Sequence, residues 1–163
     1  MSSIDPVILR VLAKTSLYGL ILNVLIPISG AVGLAVLTEY EAPSSGGFLF
    51  DFSPLSDWTL IPMAIFVLAG VLVIIRIRRV PPIFAQELSH RDPDDRFAQT
   101  ASRLSIIIFS INLSFSLPGL ALFFIGASFE ASMLFFALTL VGYQIFRPRL
   151  KFLENLRQKT QQL

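Results

Sequence analysis

Apolar windows run over residues 17–38, 60–75, 104–125 and 131–146, separated by stretches rich in charge, proline and glycine. A bilayer-crossing helix needs about 20 mostly apolar residues. The pattern therefore predicts an all-α integral membrane protein with four transmembrane helices. They would pair as two antiparallel hairpins within a single domain over 1–163, with amphipathic helical extensions on the cytoplasmic side. The second and fourth windows hold 16 residues each. At the rise of an α-helix they reach only about 24 Å of a roughly 30 Å hydrocarbon core. Arg76 and Arg147 are then expected to snorkel, or the bilayer to thin locally.

Charge orients this layout. With four spans, all 13 Lys and Arg residues fall on one side of the membrane, in the arm, in the loop over 76–103 and in the stretch from Arg147 to Lys159. The other side holds Glu39, Glu41, Asp51, Asp57 and Glu130 and no base. Basic residues stay preferentially on the cytoplasmic face, so both termini are expected there. The implied location is a bacterial cytoplasmic membrane or an equivalent such as the thylakoid. Tyr18 and Tyr143 near the inner ends of spans, with Tyr40 and Trp58 near the outer ends, fit interfacial aromatic belts. A cleaved leader ending at the small residues Gly33 and Ala35 would leave three spans and export the basic tail, so the first apolar run is taken as a span.

Composition agrees. The chain is 54% hydrophobic and 15% charged, with mean hydropathy +0.72, whereas charged residues alone make up roughly a quarter of a soluble domain. The high pI of about 9.3 does not indicate nucleic acid, because the bases flank spans and carry no nucleic-acid-binding motif. They are expected to meet anionic lipids at the cytoplasmic face. Cysteine is absent, which excludes disulfides, thiol redox chemistry and cysteine-ligated metal.

Local signals place the elements. Asp5-Pro6 is a helix start, with Ile8, Leu9, Val11 and Leu12 expected in the inner interface and Arg10 and Lys14 near headgroups. Pro27 is expected to kink span one. Ser29-xxx-Gly33 and Ala31-xxx-Ala35 make a small-residue face suited to packing within the chain. Thr59 is a candidate cap for span two, with Pro62 in its first turn. Asp92-Pro93 with Asp94 and Asp95 starts another helix that runs on into span three, where Pro118-Gly119 is expected to kink the outer half. The tail has Leu150, Phe152, Leu153 and Leu156 among Arg149, Lys151, Glu154, Arg157 and Lys159, an amphipathic helix expected to lie on the inner leaflet.

Polar residues at depth are few. Asn23 lies in span one; Ser105, Asn112 and Ser116 share a face of span three within about 40° at 100° per residue. These four are candidates for helix contact or for lining a solute path. Candidates for meeting a partner or the membrane interface are Phe48, Phe50 and Phe52, alternate positions of the outer loop, together with Arg76, Arg78, Arg79, Phe152 and Arg157. No ionisable residue falls well inside a span, which argues against a pump. His90 stands without a second His or Cys, the acids near it have capping roles, and no phosphate-binding loop occurs, so no metal, cofactor or catalytic site is expected. The expected function is that of a non-catalytic accessory, assembly or scaffold subunit that binds other membrane proteins or itself. The alternative is a small oligomeric channel or carrier for a neutral or weakly polar solute.

Overall fold

The computed structural model describes residues 5–40, 56–79, 92–124 and 129–161, and these are almost wholly helical, without a strand. Helix α1 (Pro6–Leu20) starts as its cap requires, with Asp5 Oδ1 accepting the Val7 N–H at 2.8 Å. It passes through a π-helical turn at Ile21–Leu25 into α2 (Ile26–Tyr40). Pro27 has no N–H to offer the Asn23 carbonyl. The turn before it is widened, so that the Ile26 N–H bonds the Ile21 carbonyl, five residues back. The proline thus acts through a wide turn on its N-terminal side, and arm and span form one helix.

Helix α3 (Ser56–Arg79) corrects two expectations. Its 24 residues span about 36 Å, so the helix is longer than its hydropathy window and can cross a full bilayer. It also starts before Thr59, which leaves Pro62 inside the helix and beyond its first turn. Arg76, Arg78 and Arg79 occupy the last turn, where cations suit the negative end of the helix dipole.

Helix α4 (Pro93–Leu113) continues through a tight 3₁₀ turn, Ser114–Ser116, into α5 (Leu117–Phe124). Pro118 cannot donate to the Ser114 carbonyl. The Leu117 N–H bonds that carbonyl instead, so tightening the helix restores the partner that proline removes. Helices α6 (Phe129–Phe146) and α7 (Leu150–Gln161) complete the described residues. Stretches 6–37, 61–79 and 93–124 are long and apolar enough to cross a membrane, and the apolar helix over 131–146 is shorter. The described residues are therefore all-helical, with three membrane-crossing candidates among them.

The α4–α5 helix is the central pillar, with 44% of its apolar window buried, against 17% for α1–α2 and 6% for α3. Helix α1 lies parallel to it, since Gly19 sits at Phe109 and Asn23 at Asn112. Helix α6 runs the other way, since Gly119 sits at Ser132, Asn112 at Thr139 and Phe109 at Tyr143. Leu17, Val32, Ile65, Leu72, Leu134 and Val141 face outward, whereas Thr15, Asn23, Thr100, Asn112 and Thr139 are fully buried. A soluble protein has the opposite distribution.

Four further expectations change. The tail helix α7 does not present its apolar face to a leaflet: Leu153 and Leu156 are buried in one cluster with Ile8 and Val11 of α1 and Phe97, Ala101 and Leu104 of α4. The same packing takes Ile8 and Val11 out of the interface, because apolar side chains on three adjacent helices bury more area against each other than against headgroups. Tyr143 turns inward, its ring tilted on Phe109 with centroids 5.9 Å apart and its hydroxyl donating to the Ser16 carbonyl at 3.4 Å. The small-residue face also divides. Ser29 and Gly33 are exposed, and a Cβ at Gly33 would meet nothing within 4 Å, while Gly30 approaches Phe136 and Leu34 is buried. Phe48, Phe50, Phe52 and His90 lie outside the described residues, as do the side chains of Tyr40 and Trp58.

Candidate functional site

The interior polar residues converge at mid-helix. Thr15, Gly19 and Asn23 follow one another at four-residue steps along the buried face of α1 and its π turn, a spacing that keeps them on one side of a helix. Asn112 projects from α4 between this face and α6. Its Nδ2 donates to Asn23 Oδ1 at 2.7 Å and to the Thr139 carbonyl at 2.8 Å, so one side chain ties three helices. Gly142 makes the space: a Cβ there would overlap the Asn112 carboxamide oxygen. The Thr139 hydroxyl folds back onto the Phe135 carbonyl at 3.1 Å. Asn23 Nδ2 and Asn112 Oδ1 are buried without a hydrogen-bond partner, so this clamp uses only part of its bonding capacity.

Ser105 and Ser116 are buried on the same face as Asn112, and the Ser116 hydroxyl donates to the Leu113 carbonyl at 2.7 Å. All four depth candidates therefore face the interior, and Asn23 and Asn112 meet directly. Ser110 on the opposite face is exposed. Thr139, Gly142 and Tyr143 complete the clamp from α6 without having been singled out as contact residues by the sequence.

A second cluster closes the end of the molecule that carries the arm and tail. Arg157 of α7 forks between two carboxylates, with Nη1 donating to Asp5 Oδ2 and Nη2 donating to Asp94 Oδ1 at 2.8 Å. It joins residues 152 and 63 positions apart. The Arg157 hydrogen bond, followed by the Val7 N–H, holds the Asp5 carboxyl below the usual carboxylate range. Its partner's guanidinium is raised in turn, first by the hydrogen bond to Asp5. Asp92, placed as the cap of α4, makes no side-chain capping bond; its backbone carbonyl accepts the Arg96 N–H at 2.9 Å.

The interface candidates separate accordingly. Arg157 bonds within the fold. Arg78 stacks over Phe152, its guanidinium carbon 4.7 Å from the ring centroid, a cation–π contact that ties α3 to the tail. Arg76 and Arg79 are exposed.

Comparison of the chain with protein-family models, curated proteins and solved structures finds no match. Asn112, Asn23 and Arg157 join helices by hydrogen bonds and charge. Among the described residues no three His, Cys, Asp or Glu side chains gather at a spacing for a metal ion.

Proposed function

We propose that this chain is a four-span membrane protein, built as two hairpins with both termini cytoplasmic, that serves as a non-catalytic accessory or assembly subunit for other membrane proteins. The observation that carries the reading is the contrast between its interior and its flank. The interior is occupied by side chains that bond each other, with Asn112 bridging Asn23 and Thr139. The flank along α3 is loosely engaged. Val67, Leu68 and Val71 face Leu134 and Leu138 across an apolar groove of about 380 Å³. Ser29 and Gly33 are exposed on another side of the bundle, and small residues allow close approach of a second helix. A subunit that holds partners in the membrane plane needs such flanks and an interior whose helices are tied to one another.

The test is gentle solubilisation from the native membrane with identification of what accompanies the chain. The expected result is a defined hetero-complex that is weakened when Leu68 and Leu138 are replaced by tryptophan to fill the groove. Recovery of the chain alone, or of a homo-oligomer alone, would count against the reading.

The rival is a small oligomeric channel or carrier for a neutral solute, and the unpartnered Asn23 Nδ2 and Asn112 Oδ1 favour it, since a solute could satisfy them. It requires solute flux in liposomes that Asn112→Leu abolishes while the fold persists. Unchanged flux in that variant removes it.

A further inference from the structure

Between α1 and the first four turns of α4 lies an open groove of about 440 Å³. We propose that it is a binding site for the phosphate-bearing headgroup of an anionic phospholipid, with an acyl chain lying along the apolar continuation of the same two helices. Arg10 and Lys14 line one wall, one turn apart on α1, and Arg103 lines the other. Arg10 and Lys14 together outnumber the one acid that lines the groove, Asp95, so the groove is cationic and selects an anion.

The groove also has a direction. Arg10, Lys14, Leu17 and Ile21 follow one another at three- and four-residue steps and so lie on one stripe of the helix. Leu17 is 57% exposed and Ile21 41% exposed. On the facing helix Gln99 and Ser102 give way to Ile106, which lines the groove and is 43% exposed. Both walls therefore change from cationic and hydrogen-bonding to aliphatic as the helices enter their apolar stretches. An inorganic anion would use only the first part. A phospholipid matches both, with phosphate oxygens on Arg10 and Lys14, headgroup hydroxyls on Gln99, Ser102 and Asp95, and a chain beside Leu17 and Ile106. Arginine and lysine each suit a phosphate, the first as a fork and the second as a compact charge.

The site rests on the chain lying in a bilayer and not on the accessory role, so the two can fail separately. The full-length protein, delipidated in neutral detergent, would be titrated with phosphatidylglycerol and with phosphatidylcholine of matched chains, and bound lipid counted by native mass spectrometry. One phosphatidylglycerol is expected to bind in preference to phosphatidylcholine. Arg10→Gln with Lys14→Gln is expected to weaken it on the order of tenfold, and millimolar inorganic phosphate should leave it in place. Lys151→Gln with Lys159→Gln, which removes two exposed charges from the tail, serves as the charge-matched control and should bind as the parent does. Equal loss in both double variants, no loss in the groove variant, or displacement by inorganic phosphate would each overturn the assignment. Retained helicity and a single elution peak for the groove variant would establish that its loss is local.

Discussion

Gly142 is set by Asn112. A methyl group at that position would overlap the carboxamide oxygen, and the alternative is to push α4 and α6 apart. Overpacking of this kind costs about 1–3 kcal/mol. Gly142→Ala should therefore unfold earlier in mixed micelles, and much of the loss should vanish in an Asn112→Ala background, where the oxygen is gone. The Asn23–Asn112 bond is a second coupled pair, with an expected interaction of about 0.6–2 kcal/mol in a double-mutant cycle. Asn23 and Asn112 were legible in the sequence because a carboxamide inside an apolar window has few reasons to be there. Thr139 was not, since it takes part through its backbone carbonyl, and every residue carries one. Arg157 was recognisable as a tail charge, but its carboxylate partners lie on two other helices, and sequence spacing does not bring Asp5 and Asp94 together.

That charge cluster has a pH dependence of determined sign. Asp5 is held below its ordinary carboxylate value by Arg157 and the Val7 N–H. Its contribution to docking the tail is thus fully present above the unfolded value near 3.9 and is lost as pH falls through the lower, folded value. Spin labels at Ala13 and Gln158, both exposed, should keep a narrow distance distribution from pH 7 down to about pH 4 and broaden below it. Asp5→Asn should broaden the distribution already at neutral pH. An unchanged distribution in Asp5→Asn would show that the apolar face of α7 holds the tail without the ion pair.

At the scale of the element, two prolines distort two helices in opposite ways. Pro27 is preceded by a wide turn and Pro118 by a tight one. Each alters the helical register of the polar residue beside it. Pro27→Ala supplies the missing N–H to the Asn23 carbonyl and favours a regular α-turn. The expected outcome is a turned Asn23 and a smaller coupling energy between positions 23 and 112, measured by the same cycle. A coupling unchanged from the parent would mean that the π turn has another cause. Both prolines and their disruptive effect were apparent from sequence, but not whether the ladder would widen or tighten, because that depends on which neighbouring helix receives the side chain. Helix ends were obscured for a related reason. Hydropathy marks where lipid lies, whereas α3 continues through its polar termini as long as backbone bonds persist. The amphipathic pattern of α7 likewise identified a helix with an apolar face, yet the same pattern serves a leaflet or two neighbouring helices. Its cover became visible only with Leu153 set beside Phe97 and Ile8 in one cluster.

For the whole molecule, many large aliphatic residues of the apolar helices lie outside, while Thr15, Asn23, Thr100, Asn112 and Thr139 lie fully inside, around a central α4–α5 pillar. Such a surface needs lipid or other membrane proteins around it. Three stretches meet the length and apolarity required to cross a bilayer, and the fourth apolar helix is shorter; the proposed sidedness depends on that fourth helix also crossing. The absence of cysteine makes single-cysteine labelling direct. Asp57→Cys, Glu130→Cys and Lys151→Cys would be probed in intact cells with a membrane-impermeant maleimide and again after permeabilisation. Four spans with cytoplasmic termini require positions 57 and 130 to label in intact cells and position 151 only after permeabilisation. Positions 130 and 151 reacting on the same side would contradict the four-span account, and with it the segregation of every basic residue to one face.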